Sequence, residues 1–139
     1  MSVLNDEAKA ALRAGRLGHL TTVNPDGSPQ ASIVWIGVEG DEIVIGHLGQ
    51  GRKVRNLEAD PRVVLTVEAE GTSGPGLANY LLITGTARLT PGGAPELLQE
   101  LAGTYLGPGV RFPPMDDPPP GHVIHIRPER VGGVGPWVA

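Results

Sequence analysis

The chain contains no cysteine. Disulfides, thiolate nucleophiles and cysteine metal sites are thereby excluded, and any redox chemistry has to come from a bound cofactor. No apolar run approaches the ~18 residues of a membrane-crossing helix. The opening Met1-Ser2-Val3-Leu4-Asn5-Asp6 lacks a basic stretch followed by an apolar one, so no signal peptide and a cytoplasmic location are expected. Lysine is scarce, with Lys9 and Lys53 alone. The net charge is -4, without a basic or acidic tail, which argues against a general nucleic-acid binder.

A length of 139 residues fits one domain. A chain this short hides only roughly two-thirds of its unfolded surface. A large ligand would therefore sit in a surface groove or between two subunits.

Turn and periodicity signals divide the chain. Asn5 or Asp6 can cap a helix over 6–14, which Gly15 ends. Strands are expected at 17–23, 30–38 and 42–47, separated by Asn24-Pro25-Asp26-Gly27 and Glu39-Gly40-Asp41. Leu48-Gly49-Gln50-Gly51 breaks the pattern, and a helix follows over 52–59 until Pro61. Strands at 62–68 and 79–89 flank a loop at 70–76, and Gly85 marks a bulge or a close backbone approach. A helix near 94–105 precedes a proline-rich loop over 107–121. A last strand at 122–126 leads to a glycine-rich tail from Val131. Together these predict a six-stranded antiparallel, mainly β barrel with short helices. The long loop is expected to shape a substrate pocket.

The stretch from Gly46 to Leu57 carries the most chemistry. A strand ends, glycines expose backbone N–H groups, and a helix opens on Arg52 and Lys53. Helix starts carry free donors and a partial positive charge. Two cations there oppose that dipole. They fit either a bound anion or a solvated helix start. Arginine would grip a phosphate bidentately and lysine would add a point charge. Asn56, one turn beyond Lys53, could reach the same ligand. The glycine run is not a P-loop, because the Gly-Lys-Ser/Thr ending is missing.

Of the histidines, His122 and His125 lie three apart on an expected strand and so point to opposite faces. No metal site is expected, and His47 is the best functional candidate by position. Trp35 could either fill the core or stack on a planar ligand. Trp137, near the end of the chain, is expected to pack on a partner subunit or close the groove. No paired carboxylates and no Ser/His/Asp set are recognisable.

The run Asp26-Gly27-Ser28-Pro29-Gln30-Ala31-Ser32-Ile33-Val34-Trp35 is followed by Gly51-Arg52-Lys53-Val54-Arg55-Asn56-Leu57-Glu58-Ala59-Asp60-Pro61-Arg62-Val63. Together they resemble the pyridoxamine 5'-phosphate oxidase-like superfamily, and within it the deazaflavin branch that uses coenzyme F420. Tyr80 to Leu89, with its central Gly85, matches a further strand of that family.

The resemblance implies an FMN-binding type of split barrel, a homodimer, and cofactor at the subunit interface. It implies that Lys53 binds cofactor phosphate and that Arg52 falls on a phosphate-binding arginine. It places Asn56 on an asparagine recurrent in the deazaflavin branch. Ser32, Ile33, Val34 and Trp35 would run along the cofactor, with Gly46 and His47 beside its rings and Gly51 at the opening of the phosphate segment.

Ser32 stands where the oxidases carry an arginine, which weakens the case for pyridoxamine phosphate oxidation and tight FMN binding. The oxidases' C-terminal grip on a pyridoxal substrate is not evident, although Arg127 lies in the right region. The expectation is an F420-dependent oxidoreductase acting on a small organic substrate, without nucleic acid or membrane partners. The alternatives are an FMN enzyme of the same fold, or a non-catalytic cofactor carrier or sensor.

Overall fold

The turn at Asn24–Ser28 shows how local chemistry sets the first hairpin. Asp26 Oδ1 accepts the Ser28 N–H at 2.9 Å, and Asn24 N–H donates to Ser28 O at 2.8 Å. Gly27 takes φ +87°, which costs a glycine little. The computed structural model describes residues 3–49 and 51–138, so Met1, Ser2 and Gln50 lie outside it, as does Ala139.

The elements in chain order are α1 (Asp6–Leu12), β1 (Gly18–Val23), β2 (Pro29–Val34), β3 (Gly37–Glu39), β4 (Glu42–His47), α2 (Arg52–Ala59), β5 (Arg62–Ser73), β6 (Leu77–Pro91), α3 (Ala94–Tyr105) and β7 (His122–Val134). They form one antiparallel sheet in the order β2-β1-β5-β6-β7-β4-β3. The mainly β split barrel with short helices is thus the observed fold. It has seven strands in place of the six expected.

The extra strand arises at Trp35-Ile36, where the expected strand 30–38 breaks. Tyr105, at the end of α3, wedges in at this point. Its phenol oxygen accepts the Ile36 N–H at 3.0 Å and donates to Arg16 O at 2.7 Å. These bonds replace ladder pairing that β2 would otherwise continue. Burial raises the Tyr105 pKa above its ordinary value, keeping the phenol a donor.

Two other expectations fell short in length. β5 and β6 run on through the expected loop, turning only at Gly74-Pro75-Gly76, and Asn79 supports the extension by donating to Glu70 O at 3.1 Å. β7 continues through the expected tail to Val134.

The inward faces of the strands make the main core. Leu20, Ile43, Ile45, Leu65, Leu81, Ile83, Ile124 and Ile126 are fully buried. Trp137 joins this core, and its indole N–H donates to Tyr80 O at 3.0 Å. The expectation that it reaches a partner or closes the groove is therefore corrected: its ring packs in the core of this chain. α1 is capped by Asn5, whose side chain accepts the Ala8 N–H at 2.8 Å. No helix among the described residues is long and apolar enough to cross a membrane.

Candidate functional site

The ends of β2 and β4, the start of α2 and one face of α3 meet around a cleft of about 370 Å³. β2 contributes Ile33 and Val34, with Trp35 just beyond it. β4 contributes Gly46 and His47, followed by Leu48 and Gly49. Lys53 enters from α2, Leu98 from α3, and Phe112 from the proline-rich loop. Gly46 is needed where it stands, because a Cβ there would lie 3.0 Å from Leu98 Cγ and 3.3 Å from Ala94 O.

Six of the residues singled out in the sequence therefore share one cleft: Ile33, Val34, Trp35, Gly46, His47 and Lys53. Lys53 is half-buried, and among the described residues no side chain pairs with it. Burial alone pulls its pKa below the usual lysine value. An ammonium held partly out of water and unpaired is poised for an anion.

The other four residues are placed differently. Arg52 is exposed and does not line the cleft. Its charge is felt at Asp26, whose carboxyl is held below the usual range chiefly by hydrogen bonds from Ser28, with Arg52 a smaller cause. Ser32 shares the inward face of β2 with the core residue Val34, not the outward face of Ile33. Its Oγ is inaccessible and has no hydrogen-bond partner among the described residues, and Ser32 is not among the residues that line the cleft.

Gly51 caps α2 and donates its N–H to His47 Nε2 at 3.2 Å. Asn56 is buried, and its amide donates to Thr22 Oγ1 at 3.0 Å and to Asn24 Oδ1 at 2.9 Å. Its donors are committed to β1 and the first turn. The direct ligand contact expected of Asn56 is corrected to a structural one: it pins α2 beneath the cleft. Replacing Asn56 with alanine strands those acceptors and should lower unfolding free energy by about 1–3 kcal/mol, measured by urea denaturation.

His47 is kept neutral. Burial lowers its pKa most, and the charges of Lys53 and His122 add to this. Its Nε2 accepts from Gly51, so its ring proton sits on Nδ1. A histidine with a folded pKa below its unfolded value binds fewer protons in the folded state. It is silent above about pH 7 and destabilises the fold as pH drops through and below about 6.5. The thermal midpoint should therefore fall between pH 8 and pH 5.5, and less so in His47→Gln. His125, also lowered mainly by burial, contributes in the same direction.

Sequence reasoning missed Leu48, Gly49, Leu98 and Phe112 as lining residues. Phe112 is the sole phenylalanine and lies inside the one long loop, which was the available signal. Trp35 has two aromatic neighbours. Tyr105 stacks on it with centroids 5.2 Å apart and planes 7° apart, and Phe112 sits 4.9 Å away at 52°. It is thus an aromatic already packed in the wall, not a free platform. No group of three or more His, Asp or Glu side chains among the described residues could hold a metal ion.

This architecture, a split barrel with a cleft between strand ends and a short basic helix, defines a class of cofactor-binding proteins. The sequence matches the family described as pyridoxamine 5'-phosphate oxidase over residues 4–135, and the chain belongs to that family. No protein of curated function matches it in sequence. Among solved structures it is similar to an F420 reductase, with 27% identity and a TM-score of 0.73, covering 89% of this chain and 94% of that one. It is similar to a haem-binding protein from Mycobacterium smegmatis at 26% identity and TM-score 0.67, covering 97% of this chain but 55% of that one. A conserved hypothetical protein from Mycobacterium tuberculosis shares the fold at 24% identity and TM-score 0.72, covering 96% of this chain and 84% of that one.

Proposed function

We propose that the protein is an F420-dependent oxidoreductase whose cleft holds the deazaflavin with Lys53 on its phosphate. The observation that carries this reading is the half-buried ammonium of Lys53, unpaired among the described residues, at a cleft whose wall includes Ile33, Trp35, Leu98 and Phe112. A cationic point beside an apolar wall suits a ligand with an anionic tail and a planar ring. The F420 reductase among its structural relatives supports the same choice. When bound, the deazaflavin supplies a hydride to an electron-poor organic substrate. Lys53 would hold the phosphate and the end of β2 with Trp35 just beyond it would bound the ring, while His47 holds one proton on Nδ1 and its Nε2 accepts the Gly51 N–H.

Titration of the purified protein with F420 and with FMN tests this. Binding of F420 in preference to FMN is expected. A protein that purifies yellow with FMN and ignores F420 would reverse the choice. Binding without turnover across a panel of quinones, tetrapyrroles and unsaturated lactones would make it a carrier. Haem uptake, as in the M. smegmatis relative, would appear as a Soret band. The engagement of His47 Nε2 with Gly51 counts against that outcome.

The active unit in this reading is a homodimer. Cross-strand register puts Ile33, His19, Thr66 and Leu82 in one outward row across β2, β1, β5 and β6. Ile33 is 62% exposed, Tyr80 40% and Leu82 36%. The row runs directly into the cleft through Ile33. A second copy covering it would bury apolar surface and complete the cofactor site. Leu82→Asp is expected to give a monomer by sedimentation and to lose cofactor binding without losing the fold.

A further inference from the structure

Gln99 stands on the exposed side of α3 and grips the proline-rich loop with both ends of its carboxamide. Its Nε2 donates to Val110 O at 2.8 Å, and its Oε1 accepts the Phe112 N–H at 2.9 Å. One side chain thus satisfies a backbone acceptor and a backbone donor two residues apart, as a neighbouring strand would. The Arg111–Asp116 pair at 2.7 Å also closes the loop on itself, but both ends are exposed and such pairs add little. The clamp leaves Phe112 against Trp35, at 4.9 Å between centroids, and at the cleft wall.

We propose that Phe112 is a specificity-determining residue, limiting the width of ring admitted beside Trp35, and that Gln99 is the positioning residue that holds it there. Three observations combine. The loop has no regular secondary structure to fix it. Its backbone is tied to α3 at the two residues flanking Arg111. The side chain so placed packs against Trp35 at a tilt, while Tyr105 stacks on the same indole. The cleft of about 370 Å³ lies near the lower end of ligand pockets, roughly 300–1,000 Å³. A side chain as large as phenylalanine therefore decides much of what fits. Calling this site a substrate cleft rests on the proposed function, but the clamp itself does not.

The test uses the full chain carrying Trp137→Phe, so that Trp35 is the sole tryptophan. Acrylamide quenching reports access to Trp35, and 1-anilinonaphthalene-8-sulfonate reports a widened apolar cleft. Phe112→Ala should raise the Stern–Volmer constant about twofold, since the indole loses an aromatic neighbour packed on it. It should also increase dye binding. Gln99→Ala should do the same to a lesser degree, and should add nothing in the Phe112→Ala background, because its effect passes through that ring. A Gln99 effect that persists undiminished in the double variant, or no change in either readout, overturns the proposal. If the parent binds neither F420 nor FMN while quenching responds as expected, the cofactor reading fails and the assignment of Phe112 and Gln99 stands.

Discussion

Lys53→Met will weaken F420 binding by about 10- to 150-fold, the equivalent of about 1.5–3 kcal/mol for a hydrogen bond to a charged group. The fold should not suffer. Lys53 has no partner among the described residues to strand, and burial already disfavours its charge, as the lowered pKa shows. Methionine keeps the length of the stem and its packing, so the loss isolates the charge. Arg52→Ala, by contrast, removes an exposed cation outside the cleft and should change affinity little. Titrating both variants alongside urea denaturation separates the two expectations. Equal losses from both would mean that the helix start acts only as a diffuse positive field. The pH dependence carries the sign of the same contact. A phosphate needs the protonated ammonium, so affinity should fall at alkaline pH, beginning below the ordinary lysine value. In Lys53→Met that limb should vanish.

Much of this was legible in the chain because its causes are local. Asn24-Pro25-Asp26-Gly27 makes its own turn through the Asp26 and Ser28 bonds, and Asn5 caps its own helix. The Gly46–His47 and Arg52–Lys53 segment could be read as a site because strand end, glycines and helix start are contiguous. What escaped was set by distant partners. The break at Trp35-Ile36 depends on Tyr105, 69 residues away for its bond to Ile36. Trp137 looked like an exposed terminal ring because nothing nearby in sequence reveals the Tyr80 carbonyl that receives its N–H. Asn56 looked like a ligand contact because helical spacing puts it one turn from Lys53. Its donors instead find Thr22 and Asn24, across a packing contact between α2 and β1 that no periodicity encodes. Strand alternation within β2 puts Ser32 and Ile33 on opposite faces.

Gly85→Ala is expected to cost about 3 kcal/mol or more, at the upper end for overpacking, and to do so without any positive-φ strain. Its φ is ordinary. The cost comes from space: a Cβ there falls on the Arg127 carbonyl oxygen and lies 3.1 Å from Arg127 C and 3.2 Å from Pro128 Cα. All three are backbone, so no side chain can swing aside. The site is the bulge where β6–β7 pairing shifts register between Thr84 and Gly85. Pro128, which has no N–H to donate, can sit opposite because the ladder is already interrupted. Moving the β7 backbone to make room would displace the pairing of β7 with β4, which sets His47 opposite His122. The damage should therefore reach the cleft as well as the melting temperature. Gly103→Ala is the matching control. It lies in α3 with nothing within 4 Å of the added methyl, and should stabilise by up to about 0.5–1 kcal/mol, the usual gain of alanine over glycine in a helix. If Gly85→Ala melts like the parent, the close approach of β6 to Arg127 is wrong, and with it the bulge that sets β7 in register.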